Sequence, residues 1–168
     1  MQEHNIFLLQ GSNKENREIN IEKSLALIAD NIGTIIKKSS YFESQAWNMS
    51  NNTYSFYNRA LHIRTHLTPM SIIQEINKIE LSMGRKKVHH DKKIKKYQDR
   101  EIDIDIIFYD NIIIYSSILT IPHPLFHLRR FALEPMCDIA PNKNHPVFNI
   151  RVIEILGLCL DKSKIEKL

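Results

Sequence analysis

The stretch Arg100–Asp110 reads REIDIDIIFYD, and the rest of the chain is best understood outward from it. Its isoleucines, phenylalanine and tyrosine are the β-branched and aromatic material of a strand. Glu101, Asp103 and Asp105 recur at every second position, so alternation sends Ile102, Ile104 and Ile106 to one face and the three acids to the other. A carboxylate left unpaired in an apolar setting is expensive. Alternate residues on a strand stand roughly 6.5–7 Å apart. From that spacing two carboxylates can each reach a hard cation, or hold two cations bridged by phosphate oxygens. The plainer reading is an edge strand whose acidic face discourages aggregation.

The flanking pattern gives the strand a context. Ile6–Gln10 is a short apolar run ending in Gly11-Ser12-Asn13, a strand followed by a turn or helix cap. Ile21, Leu25, Ile28 and Ile32 recur at helical spacing, with Gly33 as the stop. A strand is predicted over Thr34–Ser44, a polar break over Ser50–Thr53, and a longer strand over Tyr54–His66, where Phe56, Asn58, Ala60 and His62 share one face. Thr68 as N-cap and Pro69 behind it open a second helix, with Ile72, Ile73, Ile76, Ile79 and Met83 as its buried stripe and Gly84 as its end. Asp110-Asn111 reads as the turn of a hairpin joining strand 101–108 to a strand over Ile112–Tyr115. Leu119–Leu125 carries two prolines too close together for regular structure. Further helices are expected over Leu128–Met136 and Val152–Leu160. The order β-α-β-β-α-β predicts an α+β fold with a ferredoxin-like, mostly antiparallel sheet and helices packed on its faces, in a single domain over residues 1–168 with a C-terminal extension from about 142.

Composition narrows the function. With 168 residues, 43% of them hydrophobic and 25% charged, the chain belongs among ordinary globular domains. No transmembrane helix is expected, and MQEHNIFLLQ lacks the basic start and cleavage site of a secretory signal. Cys137 and Cys159 have no metal-ligand spacing and read as reduced thiols of a cytoplasmic protein. The net charge of +4 is uneven: residues 85–100 hold eight Lys/Arg against Asp91 and Asp99, so that segment is +6 and the remainder −2. Such a patch suits a phosphate-rich partner, although a solvated loop would look the same. The four glycines form neither a P-loop nor a dinucleotide fingerprint, and no zinc or nucleophile-elbow motif is present. Pro122-His123-Pro124 restrains a histidine in a way that suits a presented donor, or simply marks a tight loop. Arg129-Arg130 adds planar cations suited to phosphate. Trp47, Phe56 and Phe131 could line a flat aromatic slot with Asn58 beside it, though aromatics are more often core.

RxxDxDI at Arg100–Ile106, LTIPHP at Leu119–Pro124 and RRFALEPM at Arg129–Met136 occur together with QGSN at Gln10–Asn13, SSYFESQAW at Ser39–Trp47, FYNRAL at Phe56–Leu61 and IELSMGR at Ile79–Arg85. This set resembles the 6-hydroxymethyl-7,8-dihydropterin pyrophosphokinases of folate biosynthesis, from about Ile6 to Pro141. The resemblance implies magnesium-dependent transfer of pyrophosphate from ATP to the pterin hydroxymethyl group. It implies that Asp103 and Asp105 hold two Mg2+ ions, and that Arg85, Arg100 and His123 act on the transferred group. Asn77, Lys87, Tyr97, Ile106, Thr120 and Arg129 would join Arg100 and His123 around ATP, under a flexible basic loop over about 85–99. Ser44, Gln45, Trp47, Phe56, Asn58 and Phe131 would hold the pterin. The expected protein is a cytoplasmic monomer acting on these small molecules, with neither nucleic acid nor membrane as partner. Two rivals share the pattern: a nucleic-acid-binding ferredoxin-like module and a two-metal phosphodiesterase.

Overall fold

A computed structural model describes residues 2–46, 54–85 and 99–168 of the chain. Strand β1 (His4–Ser12) lies inside the main sheet, where it pairs antiparallel with both β4 (Phe56–Thr65) and β5 (Asp103–Tyr109). Two shorter strands, β2 (Thr34–Lys38) and β3 (Phe42–Ser44), pair with the far side of β4. The core order β5-β1-β4-β2/β3 is the ferredoxin-like one, as the sequence predicts. Where a single strand is expected over Thr34–Ser44, the backbone leaves the ladder between Lys38 and Phe42 and rejoins it.

Alternation on β1 divides the apolar residues into two cores. Ile6 and Leu8 face helices α1 (Arg17–Asn31) and α2 (Pro69–Ser82), packing with Ile21, Ile28, Ile72, Ile76 and Ile79. Phe7 and Leu9 face helices α3 (Arg130–Ile139) and α4 (Val152–Leu158), packing with Leu133, Met136, Val152 and Ile155. Each fully buried isoleucine contributes roughly 1.5–3 kcal/mol. Helix α2 starts as its sequence prescribes: Thr68 Oγ1 accepts the Ser71 N–H at 3.2 Å and Pro69 fills the first position. Ile104 and Ile106 on β5, and Ile102 just before it, lie in the α1/α2 core, leaving Asp103 and Asp105 toward the α3 side.

Three expectations are corrected. The turn at Asp110, which adopts a left-handed φ of 45°, does not fold a hairpin back onto β5. Strand β6 (Ile114–Tyr115) pairs instead with β7 (Thr120–Ile121), so LTIPHPL contains a short strand after all. The outer edge of β5 is already in use there: the Ile104 N–H donates to Glu80 Oε1 and the Ile107 carbonyl accepts from the His123 N–H. Finally, a three-residue strand β8 (Ile165–Lys167), which no sequence pattern signals, pairs with β3 and extends the sheet. The predicted break over Ser50–Thr53 lies outside the described residues.

Candidate active site

Two clefts open where β5, β4 and β1 end beneath the N-terminus of α3, and they share one wall. The first, about 500 Å³ with open solvent at its mouth included, is lined by Leu9, Gly11, Ser44, Gln45, Phe56, Asn58 and Phe131, together with Asp103, Asp105 and Arg129. The second, about 910 Å³ measured likewise, is lined by Asn77, Glu80, Arg85, Arg100 and His123 among others, and again by Asp103, Asp105 and Arg129.

The shared wall is electrostatically strained. Asp103 Oδ2 lies 2.8 Å from Arg100 Nη1, and its Oδ1 lies 3.8 Å from Arg85 Nη1. Asp105 has less help. Its Oδ2 is 3.9 Å from His123 Nε2, and burial, then the neighbouring Asp103 charge, push its carboxyl up to about 7. His123 is pushed the other way, down to about 4, by burial and then by the Arg129 charge, so the ring is neutral at pH 7. The Leu125 N–H donates to His123 Nδ1 at 3.2 Å, which leaves the ring proton on Nε2, facing Asp105 and the cleft. The prolines flanking His123 therefore frame an N–H donor.

The first cleft is flatter and more apolar. Asn58 Nδ2 donates to Ser44 Oγ at 2.8 Å, so its amide nitrogen is engaged. A Cβ on Gly11 would lie 3.3 Å from Asn58 Oδ1 and 3.6 Å from the Phe56 ring, so glycine leaves the room that both side chains use. Arg17 Nη1 donates to the Ser55 carbonyl at 2.8 Å and to Glu43 Oε1 at 3.0 Å, steadying the backbone just before Phe56 and just before Ser44.

Most of the expected site residues meet here: Arg85, Arg100, Asp103, Asp105, His123, Arg129 and Asn77 around the second cleft, and Ser44, Gln45, Phe56, Asn58 and Phe131 around the first. Ile106 is instead a core residue on the helix side of the sheet, and Thr120 belongs to β7; neither lines a cleft. Trp47, Lys87 and Tyr97 lie outside the described residues. Glu101 leaves the acid row to pair with Lys14. Two residues the sequence reading missed prove central. Glu80 is buried, accepts the Ile104 N–H at 2.9 Å and pairs with Arg85, and burial raises its carboxyl. Its signal was a carboxylate one turn beyond Ile76, on the buried stripe of α2. Asn13 Oδ1 accepts the Arg100 N–H at 2.8 Å while its Nδ2 donates to Asp99 Oδ1, fixing the backbone that carries Arg100.

Residues 7–141 match the family model of the 7,8-dihydro-6-hydroxymethylpterin-pyrophosphokinases. The chain belongs to that family. It is therefore a pyrophosphokinase of folate biosynthesis. Among curated relatives, the 2-amino-4-hydroxy-6-hydroxymethyldihydropteridine pyrophosphokinase of Aquifex aeolicus is 34% identical over 143 residues, covering 85% of this chain and 84% of the relative. The folic acid synthesis protein FOL1 of Dictyostelium discoideum is 35% identical over 147 residues, but the match covers only 21% of that longer protein. A solved triple-mutant HPPK-DHPS of Plasmodium falciparum superposes with a TM-score of 0.75 over 94% of this chain and 43% of its own; at 17% identity it speaks for the fold alone. No helix among the described residues is long and apolar enough to cross a membrane.

Proposed function

We propose that the first cleft takes 6-hydroxymethyl-7,8-dihydropterin, that the second takes ATP, and that pyrophosphate passes between them across the wall formed by Asp103, Asp105 and Arg129. The observation that carries this reading is the sharing of that wall: a carboxylate pair and a guanidinium face an aromatic slot on one side and a cationic cleft on the other. In this reading the hydroxymethyl oxygen forms a bond to the β-phosphorus of ATP and releases its proton to water, the bond between that phosphorus and the oxygen bridging to the α-phosphate breaks with its electron pair staying on that oxygen, and AMP leaves.

The family implies Mg2+, and the residues present fit it. Asp103 and Asp105 offer hard oxygen donors of the kind magnesium takes together with substrate phosphates and water. The raised carboxyl of Asp105 is the mark of a site that favours added positive charge. When bound, two Mg2+ ions would neutralise polyphosphate charge and orient the reacting groups. The chain's own groups do the rest. Arg85 and Arg100, which meet Asp103 from two directions, stabilise negative charge on the transferred group. Neutral His123 donates its Nε2–H to a phosphate oxygen without losing a proton. Phe56 and Phe131 stack on the pterin, and Asn58, one of its two amide N–H groups held by Ser44, offers its oxygen to an N–H of the heterocycle edge. Positioning and charge neutralisation suffice for phosphoryl-type transfer, with no protein nucleophile.

Lys87 and Tyr97 enter this proposal as further nucleotide contacts and Trp47 as a pterin contact, with Ile106 and Thr120 supporting the nucleotide cleft from behind. The chain would act as one domain, as a monomer in the cytoplasm. Incubation with ATP, Mg2+ and the hydroxymethyl pterin should yield AMP and the pterin diphosphate in equal amounts. Folded protein that makes no AMP would overturn the assignment.

A further inference from the structure

The segment after Pro141 lies outside the family match, yet its last residues touch both walls of the first cleft. Asp161 Oδ2 accepts the N–H of Arg130 at 3.0 Å, at the first turn of α3, one residue before Phe131. Its Oδ1 accepts from Ser163 N at 2.9 Å and from Ser163 Oγ at 2.5 Å, which holds the carboxylate in place. Four residues on, Ile165 stands opposite Ser44 in the β3–β8 ladder, followed by Glu166 opposite Glu43 and Lys167 opposite Phe42. Lys167 Nζ then reaches back to α3, 2.6 Å from Asp138 Oδ1, while Asp138 Oδ2 accepts the Ser40 N–H at 2.9 Å. The Leu168 N–H closes the strand on the Tyr41 carbonyl at 2.9 Å.

Phe131 on α3 and Ser44 on β3 are the residues these contacts adjoin, and both line the slot. Four residues of chain span at most about 14 Å, so the tail limits how far α3 can part from β3. We propose that Asp161–Leu168 is a positioning strap that sets the width of the aromatic slot, so that Asp161 and the β8 ladder govern affinity for the flat heterocycle rather than for the nucleotide. This rests on reading that slot as the pterin site. A segment that merely closed a sheet edge would join β3 without capping the helix that carries Phe131.

The test compares Asp161→Ala, Asp161→Asn and Glu166→Pro in the full chain. Leu168 and Tyr41 form one hydrogen-bonded contact, so strand alternation makes Glu166–Glu43 the next hydrogen-bonded pair, and proline removes its donor. Asp161→Ala and Glu166→Pro should raise KM for the pterin roughly three- to tenfold, the order of one lost helix cap, with KM for ATP within twofold of wild type. Asp161→Asn keeps one acceptor for the Arg130 N–H but turns its NH2 toward the Ser163 N–H, and should restore part of the pterin affinity. Hydrogen exchange on the unliganded protein should show the Glu43 amide, which faces β8 in that ladder, exchanging faster in Asp161→Ala. Unchanged exchange at Glu43, or KM values for both substrates rising together, would overturn the strap. Wild-type protein that formed no AMP would fail the functional reading, and the exchange result would still decide the strap.

Discussion

Glu80 offers a sharp test of how the site is held. Its side chain is 3% exposed, one oxygen accepts the Ile104 N–H at 2.9 Å, and the other pairs with Arg85. Ile104 lies on the outermost strand of the sheet, so its N–H has no strand beside it to bond with. Glu80→Ala leaves that N–H buried without an acceptor, which costs about 1–3 kcal/mol. Deleting the buried methylene groups adds about 1 kcal/mol. The Arg85 partner is 40% exposed, so the ion pair itself adds little after screening. The expected loss is therefore about 2–4 kcal/mol by urea denaturation. Glu80→Gln keeps a carbonyl oxygen for Ile104 and removes a buried negative charge, so its loss should stay below about 1 kcal/mol. Both variants free Arg85 from its carboxylate anchor and should lower kcat for AMP formation by similar factors. Equal destabilisation by the two variants would refute the reasoning, because the charge and not the hydrogen bond to Ile104 would then be what matters.

The other predictions concern charge and space. Asp105 has its carboxyl raised from 3.8 to about 7, so its contribution to stability is fully present below pH 4 and lost as pH rises through about 7. With Mg2+ present Asp105→Asn should be inactive, and without Mg2+ it should be more stable than wild type by about 2–4 kcal/mol at pH 8, converging with it near pH 4; His123 titrates in both proteins, and parallel pH profiles would contradict the charge strain. Gly11→Ala pushes a methyl against Asn58 Oδ1 and the Phe56 ring, and steady-state kinetics should show KM rising for the pterin and not for ATP. A Cβ on Gly33 would sit 2.2 Å from the Arg64 carbonyl oxygen, whereas one on Gly157 in α4 meets nothing within 4 Å. Gly33→Ala should thus lower Tm, by roughly 4–10 °C for a loss of a few kcal/mol, and Gly157→Ala should raise it by about 2–4 °C through helix propensity.

What could be read ahead of the structure was whatever short-range chemistry determines. Thr68, Pro69 and Gly84 mark α2 because caps and turns act within a few residues. The parity of β4 separates Asn58 and Ala60 from Leu61 and Ile63 because a strand has two faces. Parity also puts Asp103 and Asp105 on one face of β5, and both line the two clefts. The misread parts depend on contacts between distant segments. Asp110-Asn111 looked like a hairpin turn, but whether β6 returns to β5 depends on Glu80 and the His123 loop, which reach that edge from elsewhere. Ile165–Lys167 is too short to carry a strand signal and exists as one because β3 lies beside it. Glu80 lies on the apolar stripe of α2 by its spacing, but what holds a carboxylate there is Ile104 and Arg85, which reach it from outside the helix.

The position of β5 at the rim of the sheet has a consequence for solubility. A bare outer strand offers its N–H and C=O groups to the strand of another molecule, the first step toward edge-to-edge aggregation. Here Glu80 occupies the Ile104 N–H, His123 occupies the Ile107 carbonyl, and two carboxylates stand alongside. The opposite rim is β2, bearing Lys37 and Lys38, and three residues of β8, bearing Glu166 and Lys167. The groups that assemble the wall shared by the two clefts therefore also deny a second copy its landing strip, and a variant stripped of them stands to lose dispersal in solution.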